Sequence, residues 1–457
     1  MTLRPKLPPV PFARVLRAWA EADYRPPACR AALERLVSEG EISAELVDAA
    51  EVERGGVVAT HALLYDAFAS DRAWIWTLGQ LSFDIEADDV GDVAALVRAA
   101  VRAPDARAFR EMCDPELDAD LVEELCRFYV DDASHGVWPE PGEPGIHRRE
   151  HASLLIRSRT TSILTDPQSL HGGWTTNGDR YPSDRAAVMD AIAVTHGHDD
   201  HWHLPSVLRV ADAERTLVIT PDVPRANLLS PEDFRGCLTR AGQRAAAPSW
   251  YSTVTVGDIE IDVLPFYGEQ PTRSAPGVEP GLRNWGSCYR FNCPDFSAMI
   301  LVDSGVDPAG HALEAVQRSV EQRGPVDILL SCCLSFPEAI NDGLPHYAFA
   351  LPFSRLAQIF RDRKEGKREF MTLGAEGVTE ACRVSGARYF LPYAHGFSGI
   401  AQDPRSEEGE GMSERSTMSA IAEALRMRGI PTVAAAWKPG DIARIEAGSL
   451  GFSRARL

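Results

Sequence analysis

His196-Gly197-His198-Asp199-Asp200-His201 follows directly on the apolar run 190–195, Asp-Ala-Ile-Ala-Val-Thr. The run reads as a β-strand, so the histidines occupy the loop at its end. Alternate residues leave an extended backbone in different directions, and His196, His198, Asp200 and His201 can therefore face two adjacent metal positions. Neutral imidazole and carboxylate both suit divalent zinc, iron or manganese. The bland alternative is a solvated histidine-rich loop, but this full pattern rarely arises by chance.

The rest of the chain divides into two unlike parts. At 457 residues it is long enough for two or three domains, or for one large core with an appendage. Residues 10–135 carry apolar side chains at three- and four-residue spacing, as in PFARVLRAWAEADY and DDVGDVAALVRAAVRA, and read mainly as helix. The segment WIWTLGQLSF is the exception and fits a strand or a buried helix. The Pro- and Gly-rich run at 137–147 lets no regular element cross it. These patterns predict a mainly helical N-terminal domain, 1–145, and a metal domain, 146–457.

Beyond that boundary the pattern changes to short β-branched and aliphatic runs separated by turns. HASLLIRSRTTSILTDP reads as a hairpin with Arg159 near its turn, and TLVIT, STVTVGDIEIDVLPF, SAMILVDSG, DILLSCC and ARYFLPYAHG read as further strands. Helical patterns such as PAGHALEAVQRSVEQRG and SERSTMSAIAEALRMRG lie between several of them. Antiparallel runs followed by alternating strands and helices predict an α/β layered fold, sheets inside and helices outside.

Charge and cysteine usage narrow the function classes. With 47 basic against 66 acidic side chains the net charge is −19, which argues against nucleic acid as the main partner. The nine cysteines form no CxxC pair, so neither a disulfide framework nor a zinc ribbon is expected. No leader-like segment and no apolar run long enough for a bilayer occur, and the expectation is a cytoplasmic protein that does not engage the membrane.

The His196, His198, Asp200, His201 pattern resembles the signature of the metallo-β-lactamase superfamily. The resemblance extends to ILTDP with Asp166, to AMILVDSG with Asp303, to YFLPYAHG with His395 and to the terminal WKPGD. It implies an αββα sandwich with the metals at one edge. It implies further that His196 and His198 bind the first metal, that Asp200, His201 and His395 bind the second, and that Asp303 bridges them. Asp166 is expected to orient a ligand imidazole from behind; His203 lies outside the pattern and is not assigned.

In zinc-dependent members of that superfamily a further histidine completes the first site, yet no histidine occurs here between His203 and His311. Where it is expected the chain reads Tyr267-Gly268-Glu269-Gln270-Pro271, and Glu269 is the replacement. Four imidazoles and three carboxylates suit iron or manganese better than zinc. Within the superfamily this substitution resembles diiron β-hydroxylases of the chloramphenicol-biosynthetic type, which implies two iron ions, an oxygen-dependent monooxygenase and an external electron donor. The substrate would be amino-acid-derived or another small biosynthetic molecule, free or bound to a carrier protein. By the same analogy the N-terminal domain could mediate a homodimer.

The alternative is a dinuclear zinc or manganese hydrolase of an ester, lactone, amide or phosphodiester. In that case Glu269 is an unusual ligand or a nearby base; if it is instead a surface turn residue, the first metal is held by fewer ligands, by Cys288 or Cys293, or not at all. Trp174, Tyr267 and His346 are candidate pocket residues, and Cys332 and Cys333 read as strand core.

Overall fold

The computed structural model describes residues 143–149, 151–167, 189–198, 200–202, 204–224, 233–268, 283–307, 309–335, 370–395, 414–446 and 448–454, with 365 and shorter pieces within 4–123. In the N-terminal part β1 (Arg4–Pro5), β2 (Trp74–Leu78) and β3 (Leu81–Ile85) form a small antiparallel sheet. The WIWTLGQLSF segment is thus a hairpin. Helix α1 spans Ala106–Met112; most of the segment expected to be helical lies outside the described residues.

From β4 (Gly145–Arg148) the chain builds its first large sheet. The hairpin of β5 (Leu154–Arg157) and β6 (Ser162–Thr165) pairs Leu155 with Leu164 and Ile156 with Ile163. Next come β7 (Ala191–Ala193), helix α2 (Leu204–Val210), β8 (Leu217–Ile219), helix α3 (Phe234–Arg240) and β9 (Ala245–Ala246). Strands β6 to β9 run parallel.

The second sheet starts with β10 (Thr253–Val256), β11 (Ile259–Pro265), β12 (Ser287–Asn292) and β13 (Ser297–Val302), an antiparallel meander. After the short pair β14 (Val306–Asp307) and β15 (Gly310–His311), helix α4 (Ala312–Arg323) leads to β16 (Ile328–Ser331). Helix α5 (Gly374–Ser385) leads to β17 (Tyr389–Pro392), and α6 (Glu414–Met427) to β18 (Val433–Ala434). Because β13, β16, β17 and β18 are parallel, each needs such a crossover. Strands β19 (Asp441–Glu446) and β20 (Ser449–Arg454) return to the first sheet, which reads β20-β19-β4-β5-β6-β7-β8-β9.

Strand periodicity decides the layering. Leu154 and Ile156 of β5, Ile163 of β6 and Ala191 and Ala193 of β7 enter one core cluster with Ile261, Val263, Phe291, Ile300 and Leu329 of the second sheet. Their neighbours Leu155, Leu164 and Ile192 point the other way, into a second cluster with Val207, Phe234 and Leu238 of α2 and α3. Phe109 of α1 is fully buried in that outer cluster, so the N-terminal segment contributes to this layer. Each such apolar side chain removed from water contributes on the order of 2 kcal/mol before the cost of ordering the chain. On the far side, α4, α5 and α6 bury Val316, Val378 and Ile421 against the second sheet. The result is the αββα arrangement expected from the sequence.

This topology sets the functional edge. Asp166 follows β6 and His196 lies just beyond β7, while Asp303 follows β13 and His395 lies just beyond β17. All leave the carboxyl ends of parallel strands, the edge where α/β sheets characteristically open to ligands.

Candidate metal centre

At the end of β6 the chain turns through Asp166, a non-glycine residue in the left-handed region with φ 37°. The turn buries its carboxylate completely. Its oxygens accept hydrogen bonds from the Thr195 N–H (2.7 Å) and hydroxyl (2.6 Å), and Oδ2 lies 2.9 Å from His201 Nδ1. With Nδ1 engaged, His201 presents Nε2 to the cleft, 3.0 Å from Asp303 Oδ2 and 3.8 Å from Asp200 Oδ1. The Thr195 hydroxyl, having donated to Asp166, also lies 3.0 Å from His196 Nδ1 and can accept its proton. One buried carboxylate and one hydroxyl thus set the orientation of two imidazoles.

His196 is fully buried and stacks on Phe266, rings 4.8 Å apart and 18° from parallel, while its centroid lies 4.0 Å from that of His201. Space behind it is tight: a Cβ on Gly286 would lie 2.7 Å from Phe266 Cγ and 2.9 Å from His196 Cβ. His198 packs edge-on to His196, and its Nε2 lies 3.2 Å from the Asn284 carboxamide, leaving Nδ1 as the other ring nitrogen.

Two groups of ligand atoms result. His196, His201 and Asp303 form one and His151, Asp200 and His201 the other, each with its atoms within 4.8 Å of one another. Asp303 Oδ1 is buried and has no hydrogen-bond partner among the described residues. A buried anionic oxygen without a partner is costly, and a divalent cation in reach of His196 and His201 satisfies it. The residues therefore fit a metal.

The electrostatics agree. Burial opposes a charge on His201, yet Asp200, Asp166 and Asp303 together raise it well above the ordinary histidine range. Burial likewise works against the Asp200 anion, but His201, His151 and His198 hold its carboxyl well below the usual range. The negative field that retains a proton on His201 would equally retain a cation, and a cation would displace that proton.

His395 is oriented elsewhere. Its Nε2 accepts the Cys333 N–H at 2.9 Å, and its Nδ1 lies 2.7 Å from Glu414 Oε2 at the start of α6. Glu414 is also 3.5 Å from Arg148. Tyr267 is half-buried among Trp250 and the Arg283 guanidinium, its phenol pushed up to about 12, chiefly by burial. Glu269, Trp174 and His346 lie outside the described residues. Cys288 and Cys293 are in neither ligand group; burial pushes the Cys288 thiol up to about 12 and that of Cys293 higher still. Cys332 and Cys333 are buried just beyond β16.

Sequence reasoning missed His151, Asn284, Arg283 and the Phe266–Gly286 contact. His151 alone had a readable signal. In a hairpin that pairs Leu155 with Leu164, the residues before β5 return to the level of those after β6.

Residues 146–303 match a family model described as the beta-lactamase superfamily domain. The chain carries a metallo-β-lactamase-fold domain. Among solved structures, this metallo-β-lactamase-fold protein is similar to CmlA, a diiron beta-hydroxylase from Streptomyces venezuelae. The TM-score is 0.56 and the identity 16%, over 97% of this chain and 92% of that one. A mutant of the CmlA beta-hydroxylase aligns with TM-score 0.54 and 17% identity over 84% and 68% of the two chains. Igni18, a metallo hydrolase from the archaeon Ignicoccus hospitalis, aligns with TM-score 0.38 and 11% identity over 68% and 98%. A search of curated proteins returns no match. Among the described residues no helix is long and apolar enough to cross a membrane.

Proposed function

We propose that this protein is a diiron, oxygen-dependent monooxygenase that hydroxylates an amino-acid-derived or other small biosynthetic substrate, free or carrier-bound. The observation that carries the reading is the ligand chemistry at the first metal position. His196 and Asp303 share one ligand group and the His198 ring packs edge-on to His196, the sequence offers no histidine between His203 and His311, and Glu269 follows directly on Gly268. Gly268 is held at the same edge, its N–H 3.3 Å from Asp307 Oδ2 and the preceding Tyr267 carbonyl bonded to the Gly305 N–H.

Carboxylate in place of imidazole adds negative charge and a hard oxygen, favouring iron or manganese and stabilising the higher charge states of a redox cycle. CmlA, a diiron beta-hydroxylase, shares the fold, and its activity supports this reading. In the proposed set His196, His198 and Glu269 serve the first position, Asp200, His201 and, on the superfamily resemblance, His395 the second, with Asp303 between them.

When bound, two irons supply oxygen activation, with electrons delivered by a separate donor protein. The chain's own contribution is to hold and insulate. Asp166 and Thr195 fix the imidazoles, Phe266 covers one face of His196, and burial of His196, His201 and Asp303 keeps bulk water from the ligand atoms.

The alternative, a zinc or manganese hydrolase, uses the same histidines and aspartates to hold ions that polarise a scissile bond and generate hydroxide. Metal analysis of protein expressed with iron available, combined with oxygen uptake under reducing conditions, separates the two. The monooxygenase reading expects iron near two equivalents and reductant-dependent oxygen consumption. Two equivalents of zinc, no oxygen uptake and turnover of a generic ester or phosphodiester would overturn it.

A further inference from the structure

One buried ion pair joins the segments that wall the first metal position. Arg283 and Asp307 are both buried, and Arg283 Nη2 donates to Asp307 Oδ2 at 2.8 Å. The same nitrogen donates to the Phe266 carbonyl at 3.0 Å, and the same carboxylate oxygen accepts the Gly268 N–H at 3.3 Å. Asp307 Oδ1 turns the other way and accepts the Ala309 and Gly310 N–H groups at 2.7 and 3.2 Å. The pair thus grips the end of β11 on both sides of Tyr267.

Each segment held by the pair borders the site. Phe266 stacks on His196, and Gly268 leads directly into Glu269. Next to Arg283, Asn284 lies 3.2 Å from His198 Nε2. Asp307 belongs to the loop that starts at Asp303, and the Ser304 hydroxyl sews that loop to Tyr267, accepting its N–H at 3.1 Å and donating to its carbonyl at 2.7 Å. The approach is close enough to require glycine: a Cβ on Gly268, at φ 107°, would lie 2.6 Å from the Gly305 nitrogen. Trp250, Tyr267 and Trp285 face the guanidinium, 5.3, 5.7 and 5.0 Å from it to their ring centroids, and confine it to this partner.

We propose that Arg283 and Asp307 are the positioning pair of the first metal position, holding the end of β11 that leads into Glu269 against the loop that starts at Asp303. Both act through the backbone and through Phe266, not by touching a metal. A buried ion pair adds little net stability, because both charges give up their water, whereas a guanidinium and a carboxylate fix distance and direction together. A chain without the pair can fold, but its two carboxylate ligands are no longer set at one separation. The assignment rests on reading the site as dinuclear with Glu269 as a ligand.

The test uses the full-length chain, stripped of metal and titrated with Co2+ under nitrogen against a chromophoric chelator. Wild-type uptake of two equivalents and loss of one in Glu269→Ala establish the reading of the site; failure of either overturns that reading, and the assignment with it. Asp307→Asn leaves the Arg283 charge buried without the Asp307 carboxylate. Arg283→Met combined with Asp307→Asn removes both charges while the carboxamide still accepts from the backbone N–H groups, so its urea midpoint is expected near that of wild type. In both variants one equivalent is expected to bind about tenfold or more less tightly, the other as in wild type. Added to Glu269→Ala, the same double substitution is expected to leave the remaining equivalent unchanged, because only the second position is left. Wild-type affinity for both equivalents in the double variant would mark the pair as purely structural and overturn the assignment, and so would weakening of the equivalent that remains in the Glu269→Ala background. Should Asp307→Asn fail to fold by circular dichroism, the double variant decides alone.

Discussion

Asp166 Oδ2 sits 2.9 Å from His201 Nδ1, and this one contact dictates that Nε2 is the nitrogen His201 offers to the cleft. The carboxylate is fully buried and also ties down Thr195, whose hydroxyl reaches His196. A residue that touches no candidate metal position therefore governs two of its ligands.

Asp166→Asn tests this control. The amide nitrogen can donate where the carboxylate only accepted, so the variant favours a proton on the wrong nitrogen of His201 or turns the ring. Metal affinity is expected to fall about 10- to 100-fold, read by competition with a chromophoric chelator. Unchanged affinity would mean that the contact does not orient the ligand.

Gly286→Ala probes the packing behind His196. The added methyl would meet Phe266 Cγ at 2.7 Å and His196 Cβ at 2.9 Å, closer than packed carbon atoms come. Phe266 is locked in the core, so the strain is expected to cost about 1–3 kcal/mol in denaturant unfolding of the metal-free protein. Metal affinity should fall as well, because the His196 ring must move.

His147 supplies a pH dependence. Burial, reinforced by Arg149, Arg157 and Arg444 and opposed by the bond to the Glu143 carbonyl, lowers it from 6.5 to about 4. Above pH 6.5 both folded and unfolded chains keep this ring neutral. Between pH 6.5 and about 4 the unfolded chain takes up the proton first, so stability falls as pH falls, by roughly 3 kcal/mol across the window. Urea unfolding of wild type and His147→Gln at pH 7 and pH 4.5 reads this out: the variant should lose less stability on acidification.

Glu269 decides between the two chemistries proposed. Glu269→Ala should remove one ligand of the first position, leaving about one equivalent of metal and abolishing activity. Glu269→His restores a ligand but recreates an imidazole-rich set, and is expected to bind zinc tightly without consuming oxygen. Both outcomes are read by elemental analysis and an oxygen electrode. A Glu269→Ala protein with two irons and normal turnover would place Glu269 away from the metals.

Much of the fold was legible because it rests on local pattern. The period-two alternation of Leu154, Leu155 and Ile156 assigns each side chain to the inter-sheet core or to the helical layer, and the alternation of β13, α4, β16, α5 and β17 requires a parallel sheet. Strand β12, Ser-Cys-Tyr-Arg-Phe-Asn, escaped because its burial comes from both neighbouring strands and not from its own composition.

The sequence by itself determined that His196, His198, Asp200 and His201 leave a strand end together, since six consecutive residues cannot be far apart. It equally placed Asp166, Asp303 and His395 after strands, because runs such as AMILV announce where each strand stops. What only the tertiary structure decided is which nitrogen each imidazole presents and which distant groups meet. Asp166 meets His201 across 35 residues, His151 meets His201 across 50, and the His395 ring goes to Cys333 and Glu414. Ring orientation is set by hydrogen bonds from groups that adjacent strands bring alongside. Those neighbours follow from sheet order and strand register, which no short stretch of sequence contains.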